Sequence, residues 1–301
     1  MKLFLLLAVL SDCRLADADR AFMAAALQTW DEVRTQDLQL ESDARLPRVL
    51  FFDERCVFEG TSASAHGGVI KVPNGNEIPA RAMAFAGSYD GGKPFLVQAL
   101  PPVWRAEQRH RDNPALDRLM RSVFVHEMTH TVQTRAFDER LTELEARHKI
   151  EALDDDIVQT RFASNAEFAA AFKEERDLLY AIAAQPDARL RREAAKEAVR
   201  LAKARRARFF TGDSRYLAEL EEIFLGMEGA AQWAAFRAAI RDGATREEAL
   251  DLVNKGARRW SQDEGLALFL AIDALMPGKW QKKVFGEKPT PVWKLLEQAA
   301  R

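Results

Sequence analysis

The sequence predicts an α+β protein with a small N-terminal β-sheet, a helix that carries an HExxH motif, and a mostly helical C-terminal half. Three observations support this fold class. Residues 47–105 contain short apolar runs separated by turn residues, as β-strands do. After residue 113, apolar side chains recur at helical spacing. The motif itself lies near the start of this helical half, at His126-Glu127-Met128-Thr129-His130.

Length and composition indicate an ordinary globular protein and exclude several classes. The chain has 301 residues, 48% hydrophobic and 30% charged, which argues against disorder. Lys and Arg total 44 against 46 Asp and Glu, so the net charge of −2 gives no attraction for nucleic acid or an anionic membrane. No apolar stretch is long enough to span a bilayer. We expect an N-terminal α/β subdomain over 19–112 and a helical subdomain over 113–301 that carries HExxH and the two segments at 227–233 and 260–269.

The N-terminus has the pattern of a signal peptide. Met1-Lys2 supplies a positive start, residues 3–10 are an apolar run, and Ala16-Asp17-Ala18 is a small-x-small cleavage site. We therefore predict a signal peptide over 1–18 and an exported protein, periplasmic or secreted. The alternative is a buried N-terminal strand or helix, which would make the protein cytoplasmic.

The two cysteines, Cys13 and Cys56, do not predict a disulfide framework. Cys13 would leave with the signal peptide. Cys56 lies in an apolar, strand-like run, so we expect it to be a packing residue.

The N-terminal part is predicted to be one helix followed by strands. Residues 20–42 form the helix, with apolar side chains along one side. Turn residues at 73–75 and 88–92 separate strands, and the second turn predicts a hairpin. Pro101-Pro102 ends the last strand. The strands are expected at 48–57, 69–72, 83–86 and 95–100.

Helix start signals divide the remaining chain. Asn113-Pro114 has the pattern of an N-cap followed by proline at the first helical position. Capping boxes and prolines predict the later helices: a box at 164–167 opening a helix to about 184, Pro186 opening one to about 210, a second box at 245–248, and Thr290-Pro291 starting the last.

The HExxH motif carries the chemistry. Residues four apart on a helix lie one turn apart on the same face, so His126 and His130 can bind one metal ion. Neutral imidazole suits zinc, and the adjacent Glu127 can accept a proton from a metal-bound water. Because apolar residues precede the motif at helical spacing, these polar side chains lie on a buried helix, where they need a partner.

A catalytic zinc site needs a third protein ligand, and spacing excludes two common ones. In the extension HExxHxxGxxH, glycine and histidine would follow His130 by three and six residues, but Gln133 and Ala136 stand there. A glutamate nineteen residues after His130 would fall on Lys149. The ligand therefore comes from elsewhere in the chain.

Two downstream segments, 227–233 and 260–269, share a Glu-Gly-x-Ala-x-aromatic pattern. The small residues after the glutamate would let this helix pack closely on the HExxH helix, so that the carboxylate reaches the metal. Glu228 is favoured because the apolar run 223–225 leads into it and buries it. Glu264, which Trp260 precedes, is the alternative third ligand. Whichever of the two glutamates does not bind the metal would orient a histidine N–H.

The HExxH motif together with one of these segments resembles the gluzincin type of zincin metallopeptidase. The resemblance implies a zinc-dependent metallohydrolase, a peptidase with one zinc per chain and a peptide or protein substrate. His126, His130 and Glu228 would hold the metal, with Glu264 as the alternative. Glu127 would be the general base that activates a zinc-bound water.

Further parts of such a site are expected by analogy. In zincins an edge strand above the active-site helix pairs with extended substrate, and residues 95–100 are the candidate. Tyr180 and Tyr216 are both candidates for stabilising an oxyanion, and the choice stays open. His66 is expected to be a hydrogen-bonded loop residue.

Two other classes of function compete with a peptidase. One is a non-catalytic binding or scaffolding protein with a retained zincin fold, which the intact Glu127 disfavours. The other is a helical protein without metal that docks through its basic helix at 189–208, although glutamates on that helix favour an ordinary solvated face.

Overall fold

A computed structural model describes residues 13–41, 46–150, 153–254 and 259–301. It confirms the α+β class, with a small N-terminal mixed sheet followed by a mostly helical half. Residues 1–12, which carry most of the predicted signal peptide, and Ser42 at the end of the predicted first helix lie outside the described residues.

The N-terminal part begins with helix α1, Asp17–Glu32, which continues into a π-helical turn, Val33–Asp37. The strands follow in the predicted region: β1 Arg48–Phe52, β2 Cys56–Glu59, β3 Ser62–Ala65, β4 Val69–Lys71, β5 Glu77–Pro79, β6 Ala84–Tyr89 and β7 Lys93–Ala99.

The main sheet has the strand order β3-β2-β1-β7-β6, with β1 and β7 parallel and the other neighbours antiparallel. The predicted hairpin is present as β6–β7, and the predicted turn at 73–75 connects a second antiparallel pair, β4–β5. The prediction that 95–100 forms the edge strand is wrong, because β7 lies between β1 and β6. Its consecutive residues Phe95, Leu96 and Val97 are all fully buried, as expected for a strand covered on both faces. In the described part of the sheet, the edge strands are β3 and β6, and β6 is the one beside β7.

The helical half contains the HExxH segment in the middle of a long helix. Among the described residues, no helix is long and apolar enough to cross a membrane. The helices are α2 Pro101–Ala106, α3 Leu116–His148, α4 Ile157–Phe162, α5 Ala166–Ala184, α6 Ala188–Phe209, α7 Leu217–Arg241, α8 Arg246–Val253, α9 Trp260–Leu275, α10 Gln281–Val284 and α11 Val292–Ala299.

The helix starts agree with the sequence only in part. The capping box of Thr245 and Glu248 at the start of α8 is confirmed. The N-cap of α5 is Asn165, one residue after the predicted position, and its side chain accepts two backbone N–H bonds. Asn113 caps no helix, because it lies in the turn that precedes α3. An asparagine side chain can accept a backbone N–H in a turn as well as at a helix N-cap, so the Asn-Pro pattern does not distinguish the two.

Helix α3 lies between the sheet and the later helices. On the sheet side, the rings of Phe51 and Phe124 stack with centroids 5.6 Å apart. On the other side α3 packs on α7, which packs in turn on α9. One apolar core includes residues of the sheet, α1, α3, α7, α9 and α11. The middle of α3 is therefore held between the two parts of the chain.

Helices α7 and α9 cross in backbone contact at Gly229 and Gly265. A Cβ on Gly229 would lie 2.6 Å from the carbonyl oxygen of Gly265, and a Cβ on Gly265 would lie 2.7 Å from Cα of Gly229. The glycines of the two repeated segments thus face each other. The prediction that they pack against the HExxH helix is wrong. Only glycine fits at either position without moving a backbone.

A disulfide joins Cys13 to Cys56, so the prediction of Cys56 as an unpaired packing residue is wrong. It ties the segment before α1 to strand β2. The 43-residue separation explains why local sequence gave no indication of the pair. Cleavage within Ala16–Ala18 would remove Cys13, so a processing site compatible with the disulfide has to precede residue 13.

We expect the double variant Cys13→Ser/Cys56→Ser to lose about 2–4 kcal/mol of unfolding free energy, because the crosslink restricts the unfolded chain. Denaturant titration with and without a reducing agent measures this difference. Reductant should lower the midpoint of the parent and leave the double variant unchanged. An equal response of both proteins would show that the disulfide is not formed.

Candidate metal centre

The two histidines of the motif lie on one face of α3 with their rings together. Their Nε2 atoms are 2.9 Å apart, and the ring centroids are 4.6 Å apart. His126 is 7% exposed, and His130 is half-buried. Two imidazole nitrogens this close repel each other through their lone pairs unless a proton or a metal ion lies between them.

Glu228 on α7 completes the group. Its carboxylate oxygens lie 3.4 Å from Nε2 of His126 and 3.4 Å from Nε2 of His130. Zinc bonds of 2.0–2.1 Å in tetrahedral geometry place neighbouring ligand atoms about 3.3 Å apart, close to these distances. His126, His130 and Glu228 therefore form a group that could hold a metal ion, and their donor atoms fit zinc.

Glu264, the alternative ligand, lies in a different environment. Its side chain is fully buried, with one carboxylate oxygen 3.8 Å from Nη2 of Arg205. Arg205 also binds the carboxylates of Glu175 and Glu221. Burial raises the pKa of Glu264 well above its usual range, against the opposing charge of Arg205. The α7–α9 crossing thus directs Glu228 to the histidines and leaves Glu264 in a buried ionic cluster.

Glu228 is ionised in its buried position. Burial alone would raise its pKa, but the adjacent imidazoles of His130 and His126 and a hydrogen bond from Gln262 lower the pKa to about 2. The ionised carboxylate is the form of this side chain that binds a metal ion.

Glu127 lies beside this group, between α3 and the edge of the sheet. Its Oε2 accepts a hydrogen bond of 3.0 Å from the backbone N–H of Ala86 on β6. Because that bond fixes one oxygen, the carboxylate cannot turn freely, and the other oxygen remains available to accept a proton. Glu127 and the three candidate ligands line the same cleft.

The cleft has a volume of about 580 Å³ and runs along the free edge of β6. In antiparallel pairs, alternate residues direct their backbone groups to the same neighbour. The carbonyl of Met83 accepts from Ala99 on β7, whereas the N–H of Ala86 points to Glu127. The even-numbered residues of 84–88 therefore direct their N–H and C=O groups into the cleft.

Several residues in the cleft or next to it were not predicted as site residues from the sequence. Gln133 follows His130 by three residues on α3, so helical spacing could have identified it. Gln262 contacts Glu228 only because α7 and α9 cross, which the sequence does not reveal. Asp155 also lines the cleft, and burial together with the charge of Glu228 raises its pKa to about 7.

The remaining sequence candidates lie outside the cleft. The hydroxyl of Tyr180 donates to Asp263, and Tyr216 stacks on His148, so neither tyrosine lines the cleft. The ring of His66 binds the carbonyl of Asp53 in a loop, as expected. Cations of the basic helix pair with carboxylates, which supports the ordinary interpretation of α6; the pairs include Arg189–Glu193, Arg200–Glu197, Lys203–Glu297 and Arg208–Glu167.

Comparison with known proteins identifies no relative: no family model, curated protein or solved structure matches this chain. Inference about function therefore depends on the geometry of the cleft.

Proposed function

We propose that the protein is a zinc-dependent metallohydrolase that cleaves peptide bonds. The convergence of His126, His130 and Glu228 at 2.9–3.4 Å, beside the tethered Glu127, carries this proposal. A helix that served only as structure would gain nothing from two imidazoles and a carboxylate buried together, since each loses hydration. One zinc per chain would supply Lewis acidity to a water and to the scissile carbonyl.

Glu127 is assigned the role of general base. It accepts a proton from the attacking water and then delivers it to the leaving amine, so that its own charge is restored after each cycle. The bond from Ala86 holds the carboxylate in place for both transfers. Orientation of this kind raises the rate because no rotational freedom has to be lost in the transition state.

An extended peptide is the substrate that the cleft best accommodates. Apart from the N–H of Ala86, which donates to Glu127, the outward-facing backbone groups of β6 can pair with a peptide strand and hold it along α3. The side chains of Phe85, Val123 and Leu141 provide apolar surface nearby. Strand pairing recognises the backbone of any peptide, so side-chain preference would come from these flanking residues.

Export from the cytoplasm belongs to this proposal. Disulfides persist in oxidising compartments, and the Cys13–Cys56 bond suits a periplasmic or secreted protein. N-terminal sequencing of protein recovered from the medium or periplasm tests this assignment. A mature chain that begins before Cys13 is the expected result, whereas full-length protein confined to the cytoplasm would contradict it.

Metal content tests the core of the proposal. Protein purified without added zinc is expected to contain about one zinc per chain by elemental analysis. The variant His126→Ala/His130→Ala should lose the metal, whereas His66→Ala, which alters a histidine outside the cleft, should retain it. A parent protein that contains no metal and takes up none on titration would exclude a metallohydrolase.

A further inference from the structure

Three glutamine side chains lie directly behind the candidate ligands. Gln133 and Gln232 are 2% and 6% exposed, and Gln262 is half-buried. Buried amides need hydrogen-bond partners, and their N–H₂ and C=O ends have opposite requirements. The partner at one end of an amide therefore determines whether the other end donates or accepts a hydrogen bond.

The first chain of hydrogen bonds ends on His130. The amide nitrogen of Gln133 lies 3.1 Å from the carbonyl oxygen of Met227, which only accepts. The nitrogen end must therefore face Met227, and the oxygen end faces Nδ1 of His130 at 3.0 Å. Because that oxygen also only accepts, Nδ1 carries the hydrogen. A neutral His130 then has its lone pair on Nε2, the atom that faces His126 and Glu228.

The second chain ends on Glu228. The amide nitrogen of Gln232 lies 3.5 Å from the carbonyl oxygen of Val253 and 3.0 Å from the side-chain oxygen of Gln262. The nitrogen of Gln262 consequently points away and donates to Oε2 of Glu228 at 3.1 Å. Each chain begins at a backbone carbonyl, so both directions are fixed by the main chain.

We propose that Gln133 and Gln262 are positioning residues that set the two ligand side chains for metal binding. This inference rests on the proposed metal site. The usual partner of a metal-binding histidine is a carboxylate, a backbone carbonyl or water. Here a neutral amide, that of Gln133, takes that place for His130, and the amide of Gln262 holds Glu228. The tautomer of His130 and the orientation of Glu228 are thus fixed without adding charge to a site that already contains Glu228 and Glu127. Gln133 also connects α3 to the residue preceding Glu228, which joins both ligand helices.

The test compares zinc affinity in matched variants by chelator competition. Gln133→Met and Gln262→Met keep side-chain length but remove the hydrogen bonds, and each should weaken zinc binding about 10–100-fold. Gln98→Met is the control, because Gln98 is a fully buried glutamine on β7 outside the cleft. The zinc affinity of this variant should stay within about twofold of the parent. Gln133→Glu retains the acceptor for Nδ1 and should bind zinc more tightly than Gln133→Met.

A second measurement needs no variant. Long-range ¹H–¹⁵N spectra of the zinc-loaded parent should show hydrogen on Nδ1 of His130. Hydrogen on Nε2, or unchanged affinity in folded Gln133→Met and Gln262→Met, would overturn the positioning roles while leaving the metal site in place. A parent without zinc uptake would instead remove the proposed function, so the two failures are distinguishable.

Discussion

Replacement of Glu127 by glutamine is expected to leave zinc in place and lower the rate of peptide hydrolysis about 10²–10⁴-fold. The amide is nearly the same size as the carboxylate but cannot accept the proton of the attacking water. Glu127 is not one of the three candidate ligands, so metal content should not change. The measurement pairs zinc analysis with the turnover rate, using one peptide substrate found by library screening.

The control for this variant is Glu139→Gln, which removes an exposed carboxylate from the same helix and should keep the parental rate. The comparison separates loss of the base from loss of one negative charge on α3. A Glu127→Gln protein with full zinc content and near-parental turnover would show that Glu127 is not the base. The peptidase mechanism would then have to be abandoned, and a binding role would gain support.

Glu228→Gln is expected to weaken zinc binding by more than about 100-fold, beyond the usual effect of changing a group that only orients a ligand. Glu264→Gln, the matched change in the second Glu-Gly segment, should leave zinc affinity within a few-fold. Burial raises the pKa of Glu264 in the folded protein above its value of about 4.5 in the unfolded chain. Protonated Glu264 therefore favours folding at low pH, and this contribution to stability is lost as the pH rises above 4.5, because the unfolded chain can then lose the proton while the folded protein retains it. Glu264→Gln should therefore be at least as stable as the parent at neutral pH.

Zinc affinity by chelator competition and unfolding midpoints at acidic and neutral pH measure both effects. If Glu264→Gln lost zinc and Glu228→Gln kept it, the ligand assignment would be reversed. The unfolding midpoints at different pH values test the role of Glu264 in the buried cluster even if the protein binds no metal.

Local sequence patterns predicted the part of the site that lies within one helix. His126, Glu127 and His130 depend only on helical spacing, and the apolar residues before Glu228 were enough to favour it over Glu264. The β6–β7 hairpin followed from its turn residues in the same way, although the strand predicted at 48–57 is divided between β1 and β2. These features depend on neighbours within a few residues, so one sequence is sufficient.

Features that depend on distant pairing were missed. The parallel pairing of β1 with β7 moves β7 to the middle of the sheet, and no local pattern specifies that order. The disulfide and the contact of Gln262 with Glu228 likewise join residues far apart in the chain. The tyrosines could not be separated on sequence grounds, because a buried phenol needs a hydrogen-bond partner whether or not it serves a reaction.

The contact of Gly229 with Gly265 has a consequence for tolerance to substitution. Two helices that meet through their main chains have a separation set by backbone atoms, whereas helices that meet through side chains shift when those side chains change size. The apolar residues around α9 can therefore vary in volume with little effect on the distance between α7 and α9, and so on the hydrogen bond from Gln262 on α9 to Glu228 on α7. Substitutions among these core residues would then leave the α9 side of the site in place, provided that both glycines remain.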